Sequence, residues 1–315
     1  MKKIFVLFTI AVLFAVNAMC ADFSDKPVSI ILPVGAGSGP DLLARRMAEV
    51  LSERWKTAVL VENKPGGGGS IAVDYVNRRP ADGYTIGYFD VGAIISYPVL
   101  YNKPGLIANI EPIMGSFVTP LVLTTSSSIR NLTDLQNEIK KNTVYSSWAI
   151  GSAGHLAGAE FAELIGTSMT HVAYKDYATW YIDISEKRTA YGFGSFGSAK
   201  ALRDTGKIHH LAVLDDKRDP YWPNIPTIKE LTGKDTIPPP SWLMFFISKN
   251  TPPDIKKQLE IDLKASALAP SVVETYSTLN YQSISNWSTT DLNKRINRDL
   301  QNYIQMVKKF NIQVQ

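Results

Sequence analysis

The β-branched run Val28-Ser29-Ile30-Ile31-Leu32 breaks off into Pro33-Val34-Gly35-Ala36-Gly37-Ser38-Gly39-Pro40-Asp41, and an amphipathic segment carrying Leu42, Leu43, Met47, Val50 and Leu51 follows. An apolar run, a glycine loop and then apolar residues at helical spacing read as strand, loop and helix. Pro40 suits the first turn of that helix, where a backbone N–H would be unpaired anyway. The glycines carry no Cβ, so the chain can turn sharply and a bound group can come close. Amides at the helix start point outward with the positive end of the dipole behind them, which makes a seat for an anion. A nucleotide fits poorly. No lysine follows Gly39 as the phosphate loop G-x-x-x-x-G-K-[ST] requires, and Gly35, Gly37 and Gly39 miss the G-x-G-x-x-G spacing. A carboxylate remains open, and so does the plain reading of a tight strand-to-helix connection.

The same unit recurs. Ala58-Val59-Leu60-Val61-Glu62-Asn63 leads into Lys64-Pro65-Gly66-Gly67-Gly68-Gly69-Ser70 and a helix with Ile71, Val73, Tyr75 and Val76; Asp82-Gly83 turns into the strand Tyr84 to Phe89. In mid-chain, Thr143 to Ser147 runs into the stretch Gly151 to Gly154 and a helix through Leu156, Ala159, Phe161 and Leu164. Such alternation implies an α/β fold with mostly parallel strands. Thr133-Asp134-Leu135-Gln136 reads as a capping box. The final helix should dock Leu292, Ile296, Leu300, Ile304 and Val307 on the first lobe.

Lys2 and Lys3 precede an apolar segment, Ile4 to Val16, that ends in small residues around Cys20-Ala21. These are the n-region, h-region and cleavage zone of a secretory signal, residues 1–21, too short for a membrane span. Its removal takes two lysines and no acid, lowering the formal charge from +4 to +2. Export to the periplasm is expected; the alternative is a lipoprotein anchored through Cys20, the one cysteine. The protein does not depend on disulfides. A charge near neutrality gives no reason to propose nucleic acid or an anionic membrane as a partner.

Taken in series, these stretches resemble the Bug receptors, the substrate-binding proteins of tripartite tricarboxylate transporters. The resemblance rests on Leu32-Pro33 before Gly37-Ser38-Gly39-Pro40-Asp41, on Val61-Glu62-Asn63-Lys64-Pro65 before four glycines, and on Ala81-Asp82-Gly83-Tyr84-Thr85. It continues through Tyr145-Ser146-Ser147, Gly151 to Leu156, His171-Val172-Ala173-Tyr174-Lys175, Gly206-Lys207-Ile208 and Pro223-Asn224-Ile225-Pro226-Thr227. It implies a two-lobed periplasmic binding protein of type II-like form, each lobe a mixed, mostly parallel sheet flanked by helices, with the ligand in the cleft between them. Lobe 1 is expected over residues 22–122 plus 246–315 and lobe 2 over 123–245. Closure by hinge motion, a monomeric receptor, a small organic acid as ligand, and large and small integral-membrane subunits as partners are implied in the same way. A ligand-sensing co-receptor for a membrane signalling protein is the alternative role.

The resemblance places the ligand between two loops, held mainly by backbone amides. Expected ligand-binding residues are Gly35, Ala36, Gly37, Ser38, Gly39 and Asp41 in the first loop, and Trp148, Gly151, Ser152, Ala153 and His155 in the second. Tyr174, Asp176 and Asp90 complete the set. A carboxylate only accepts hydrogen bonds, and each charge-assisted bond contributes about 1.5–3 kcal/mol. A few at each end reach the roughly −8 kcal/mol of a micromolar receptor. Asp41 should accept bonds from loop amides and shape the loop. Ser38 and Ser152 either donate to the ligand or cap helices, and His155 is either a buried structural residue or a contact. Trp148, Tyr177 and Trp180 either pack or stack on an aromatic acid.

Three departures from the family pattern bear on the cargo. Val34-Gly35-Ala36 stands where an aromatic residue and prolines are usual, Asp176-Tyr177 where Gly-Gly is, and Asp90 where a small or hydroxylated residue is. An inward Asp90 or Asp176 would be costly beside an anion unless the ligand brought a cation, so zwitterionic acids stand beside di- and tricarboxylates. The four histidines show no metal-ligand spacing, no G-x-S-x-G elbow occurs, and no cofactor is expected. Binding, not catalysis, is the reading.

Overall fold

The computed structural model describes Phe23 and residues 26–174, 177–236 and 241–313. The signal region 1–21 with Cys20, and Asp176, lie outside them.

In chain order the strands are β1 (Val28–Leu32), β2 (Val59–Asn63), β3 (Thr85–Asp90), β4 (Ile110–Val118), β5 (Leu121–Ser126), β6 (Val144–Ser147), β7 (Thr170–Ala173), β8 (Tyr191–Gly194), β9 (Ile208–Leu214), β10 (Trp242–Ser248) and β11 (Gln282–Ser283). They form one sheet in the order β11-β4-β10-β3-β1-β2 and a second in the order β7-β6-β8-β5-β9. Among the named strands, parallel pairing occurs in the triples β2-β1-β3 and β7-β6-β8. The strands β10 and β5 join the third strand of each triple antiparallel. Each sheet therefore repeats one plan: the first strand lies central, the second at the edge, and a strand bordering the crossover lies beside the third. A helix carries the chain between the parallel neighbours β1 and β2 and between β6 and β7, whereas β5 follows β4 of the other sheet after two residues and β10 is reached from β9 of the other sheet.

The sequence boundaries at 122/123 and 245/246 fall inside β5 and β10. Each of these strands belongs to one sheet over its whole length, so sheet membership changes at Thr119-Pro120 and again ahead of Trp242.

The Gly39–Trp55 helix buries Leu43, Met47 and Leu51 against Val28, Ile30 and Leu32 of β1, with Tyr88 and Phe245 in the same core. Each such side chain contributes about 1.5–3 kcal/mol on burial. Ile31 faces the other side, where the Ser70–Asn77 and Thr289–Lys309 helices cover the sheet. That final helix docks through Leu292, Tyr303 and Met306, with Ile296, Leu300 and Val307 packed alongside. Its buried Asp299 accepts from Trp242 Nε1 at 2.9 Å and from Arg295 Nε at 2.6 Å. In the second sheet, the Leu132–Ile139 and Ala153–Leu164 helices cover one face and Tyr177–Ser185 supports the other. The cap of Leu132–Ile139 is Asn131, whose side chain accepts from Asp134 N–H, and not Thr133. Asn131 precedes the helical φ/ψ region while Thr133 already lies within it. Among the described residues no helix is long and apolar enough to cross a membrane.

Candidate functional site

The two glycine loops leave equivalent strands, β1 and β6, each the central strand of its parallel triple. In the first loop Gly37 takes φ +79°, a conformation that costs glycine nothing. Ser38 does not cap the helix; its hydroxyl donates to the Gly35 carbonyl at 2.8 Å and tightens the turn. Gly39 starts the helix where a Cβ would overlap the buried Tyr281 hydroxyl. Among the described residues the N–H groups of Gly39 and Asp41 have no acceptor. Gly35, Ala36 and Gly37 are exposed.

Asp41 is buried beneath this loop and accepts four bonds. Gly37 N–H donates at 2.8 Å, Arg45 Nε and Nη2 at 3.0 Å each, and Asn63 Nδ2 at 2.8 Å. Burial pushes its pKa up, but the bonds from Arg45, Gly37 and Asn63 outweigh that and hold it below the ordinary carboxylate value. Asn63 also donates to the Val34 carbonyl at 3.0 Å, tying both ends of the loop to β2. The carboxylate is therefore saturated by the protein, and its charge is balanced by Arg45. What the loop presents outward is neutral amide.

In the second loop Ser152 does cap its helix, accepting from His155 N–H at 3.2 Å. The N–H groups of Ala153 and Gly154 have no acceptor among the described residues. Gly154 lies under the Trp148 ring and beside the Phe193 carbonyl, each 2.5 Å from where a Cβ would stand, so a side chain there would lift Trp148 off the helix start. His155 is buried, and its Nδ1 accepts Gly151 N–H at 2.9 Å, which puts the ring proton on Nε2. The ring stacks on His171, 3.6 Å between centroids and 9° between planes. Ser152 Oγ donates to Ser147 Oγ at 3.1 Å and Ser147 Oγ to the Ala149 carbonyl at 3.0 Å. With its proton so placed, Ser147 Oγ accepts from His171 Nε2 at 2.8 Å. Burial lowers the pKa of His155 to about 4; burial and the neighbouring His155 lower that of His171 to about 3. Both are neutral supports of the loop backbone.

The first sheet's helices reach this second loop. Tyr303 donates to the Gly151 carbonyl at 2.7 Å, and Leu100 fills the space where a Gly151 Cβ would stand. Leu100 ends the segment that follows β3, and Ala93 of that segment presses on Gly69. On the other side Gly197, just beyond β8, approaches the Leu279 carbonyl, two residues from Tyr281. The loop after β6 thus borders the segment after β3, while the residue that follows β8 and the helix start after β1 each meet the 279–281 stretch. A cavity of about 480 Å³ lies behind the second loop, lined by Ile150, His155, His171 and Phe310 to Gln313. No residue of the first loop lines it, so the amide seats do not open into it.

Other residues sit elsewhere. The Tyr174 hydroxyl donates to Asp183 Oδ2 at 2.6 Å, and burial with that carboxylate pushes its pKa up to about 12. Trp180 is fully buried with its N–H on Ser146 Oγ at 2.8 Å, which leaves it no face for a ligand. Asp90 ends β3 and is half-buried. Sequence reasoning missed Arg45, Asn63, Ser147, His171, Tyr281 and Tyr303. Arg45 had a signal, the i,i+4 spacing from Asp41. The others reach the loops only through strand pairing or helix docking.

A model of the tripartite tricarboxylate transporter family receptor matches residues 43–312. The chain is 30% identical to a UPF0065 protein of Bordetella pertussis, over 94% of this chain and 91% of that one. The solved periplasmic binding protein BugD is 27% identical with a TM-score of 0.80, covering 92% of this chain and 99% of its own. R. palustris Rpa4515, solved with adipate, is 26% identical with a TM-score of 0.82, covering 93% and 99%. Two sheets built on one plan, paired glycine loops and matches over nearly the whole length agree: the chain belongs to the family of tripartite tricarboxylate transporter receptors.

Proposed function

We propose that the protein is a periplasmic solute receptor that binds a small carboxylate between its two glycine loops and delivers it to a tripartite tricarboxylate-type transporter. The observation that carries this reading is the pair of matched helix starts, Gly39–Asp41 and Ala153–Gly154, each with amides that have no acceptor among the described residues. The amides of Gly39 and Asp41, beside exposed Gly35, Ala36 and Gly37, hold one acid group; those of Ala153 and Gly154, beside Gly151, Ser152 and Trp148, hold the other. Asp41 and His155 act by holding their loops. Neutral amides grip an anion without a permanent buried ion pair, which suits a receptor that must release its cargo. The adipate held by Rpa4515 supports an acid of this size.

The two sheets are the cores of two lobes, joined at Thr119-Pro120 and ahead of Trp242. Hinge motion there closes the cleft and creates a surface found only in the loaded form. The role is binding and transfer, with no covalent step.

A thermal-shift screen over di- and tricarboxylates and amino acids tests the reading. A true ligand at 100 times its Kd stabilises by about 2.7 kcal/mol. A structure with the strongest hit should place an acid group at each helix start. A ligand lying away from both, or silence from every acid, would overturn the proposal.

A further inference from the structure

Asp90 is the last residue of β3, the strand beside β1. The parallel register pairs Ile31 with Gly87, so β1 and β3 end at the same edge of the sheet, and Asp90, the last residue of β3, lies at the edge from which the first glycine loop leaves β1. Its other strand neighbour is Leu243 of β10. Asp90 Oδ1 accepts from Ala93 N–H at 3.0 Å and so caps the turn that follows. Among the described residues no lysine, arginine or histidine forms an ion pair with it, whereas Asp41 has Arg45 and Glu62 has Lys64. Burial holds its pKa above the usual carboxylate range despite the backbone bonds that it accepts.

A cap alone does not require a charge. Asparagine would accept the same Ala93 N–H and would not repel an anion a few residues away. A half-buried carboxylate without a counter-ion is costly, and the cost is recovered when a cation arrives. We propose that Asp90 is a specificity residue that receives a positively charged nitrogen, so that the preferred cargo is an acid carrying an ammonium group. This rests on the receptor reading above and narrows its ligand class. The amides of the glycine loops hold the acid end, and Asp90 holds the amine.

The test is calorimetric titration of the wild-type protein and Asp90→Asn with amino acids and their amine-free counterparts, such as aspartate against succinate and glutamate against glutarate. The wild type should bind the amine-bearing member of a pair more tightly. In Asp90→Asn that member should weaken by roughly 10- to 100-fold, about 1.4–2.7 kcal/mol, while the amine-free acid holds or gains affinity. Asp90→Ala, which removes the cap as well, should show the same reversal with a lower melting temperature. If Asp90→Asn leaves the preference unchanged while acids still bind, Asp90 is a cap only and this inference fails alone. If the wild type binds acids but does not prefer the amine-bearing member of any pair, this inference again fails alone; if it binds no di- or tricarboxylate or amino acid at all, the receptor reading fails with it.

Discussion

Two stacked histidines should make this protein lose stability between pH 7.5 and pH 5. His155 and His171 are held neutral in the fold, with pKa values of about 4 and about 3 against 6.5 for a free side chain. Between the folded and unfolded values only the unfolded chain takes up the proton. Stability from each is therefore complete above pH 6.5 and falls as the pH drops towards the folded value. At pH 5, about 1.5 units below the free value, each histidine costs about 2 kcal/mol. The pair together costs about 4 kcal/mol. Buried His210, also lowered to about 3, acts in the same sense. Asp90 and Asp215 act in the opposite one, because burial raises them and protonation relieves it. Asp41, Glu62 and Asp82 are lowered and contribute only below their ordinary values near pH 4. Comparing variants cancels these background groups. Urea unfolding followed by tryptophan fluorescence at pH 7.5 and pH 5, on wild type and on the double variant His155→Gln/His171→Gln, measures the share of the pair. The variant should lose about 4 kcal/mol less than wild type over this interval. An equal loss in both proteins would refute the neutral stack and, with it, the supporting role of His155 Nδ1 under Gly151.

Two further predictions concern the first loop. Gly39→Ala should cost about 1–3 kcal/mol because its Cβ overlaps the Tyr281 hydroxyl, and Tyr281→Phe in the same chain should recover most of it; thermal melts of the single and double variants decide, and a stable single variant would contradict the packing. Asp41→Asn should cost about 2 kcal/mol at pH 7 through the lost charge-assisted bonds and should flatten the stability profile below about pH 4, where wild-type Asp41 takes up its proton; an unchanged acid limb would remove Asp41 as the loop's anchor.

Much of the scaffold was legible along the chain. The β-branched run at Val28–Leu32, the helical spacing of Leu43, Met47 and Leu51 and the repeated glycine loops are local patterns, and local sterics decide them. The start of the helix at Leu132 was misplaced because Asn131 and Thr133 are both good caps, and only the backbone geometry chooses between them. Sheet membership changes ahead of β5 and β10, and both strands open on apolar residues, so no shift in composition marks where the new sheet begins. Within the site, the two serines look alike as letters. Ser152 caps its helix while Ser38 bonds back to Gly35, a difference that arises from the turn each follows.

By itself, then, the order of residues made legible two α/β halves of the same plan, each with a glycine-bared helix start. Periodicity and missing side chains act over a few residues, so they survive reading in one dimension. Tertiary structure alone decided that Asn63 and Arg45 saturate Asp41, that His155 stacks on His171, and that Tyr303 holds the opposite loop. Those partners lie up to 152 positions apart. Strand register and helix docking bring them together, and both are set by the burial of the whole core, which no short stretch encodes.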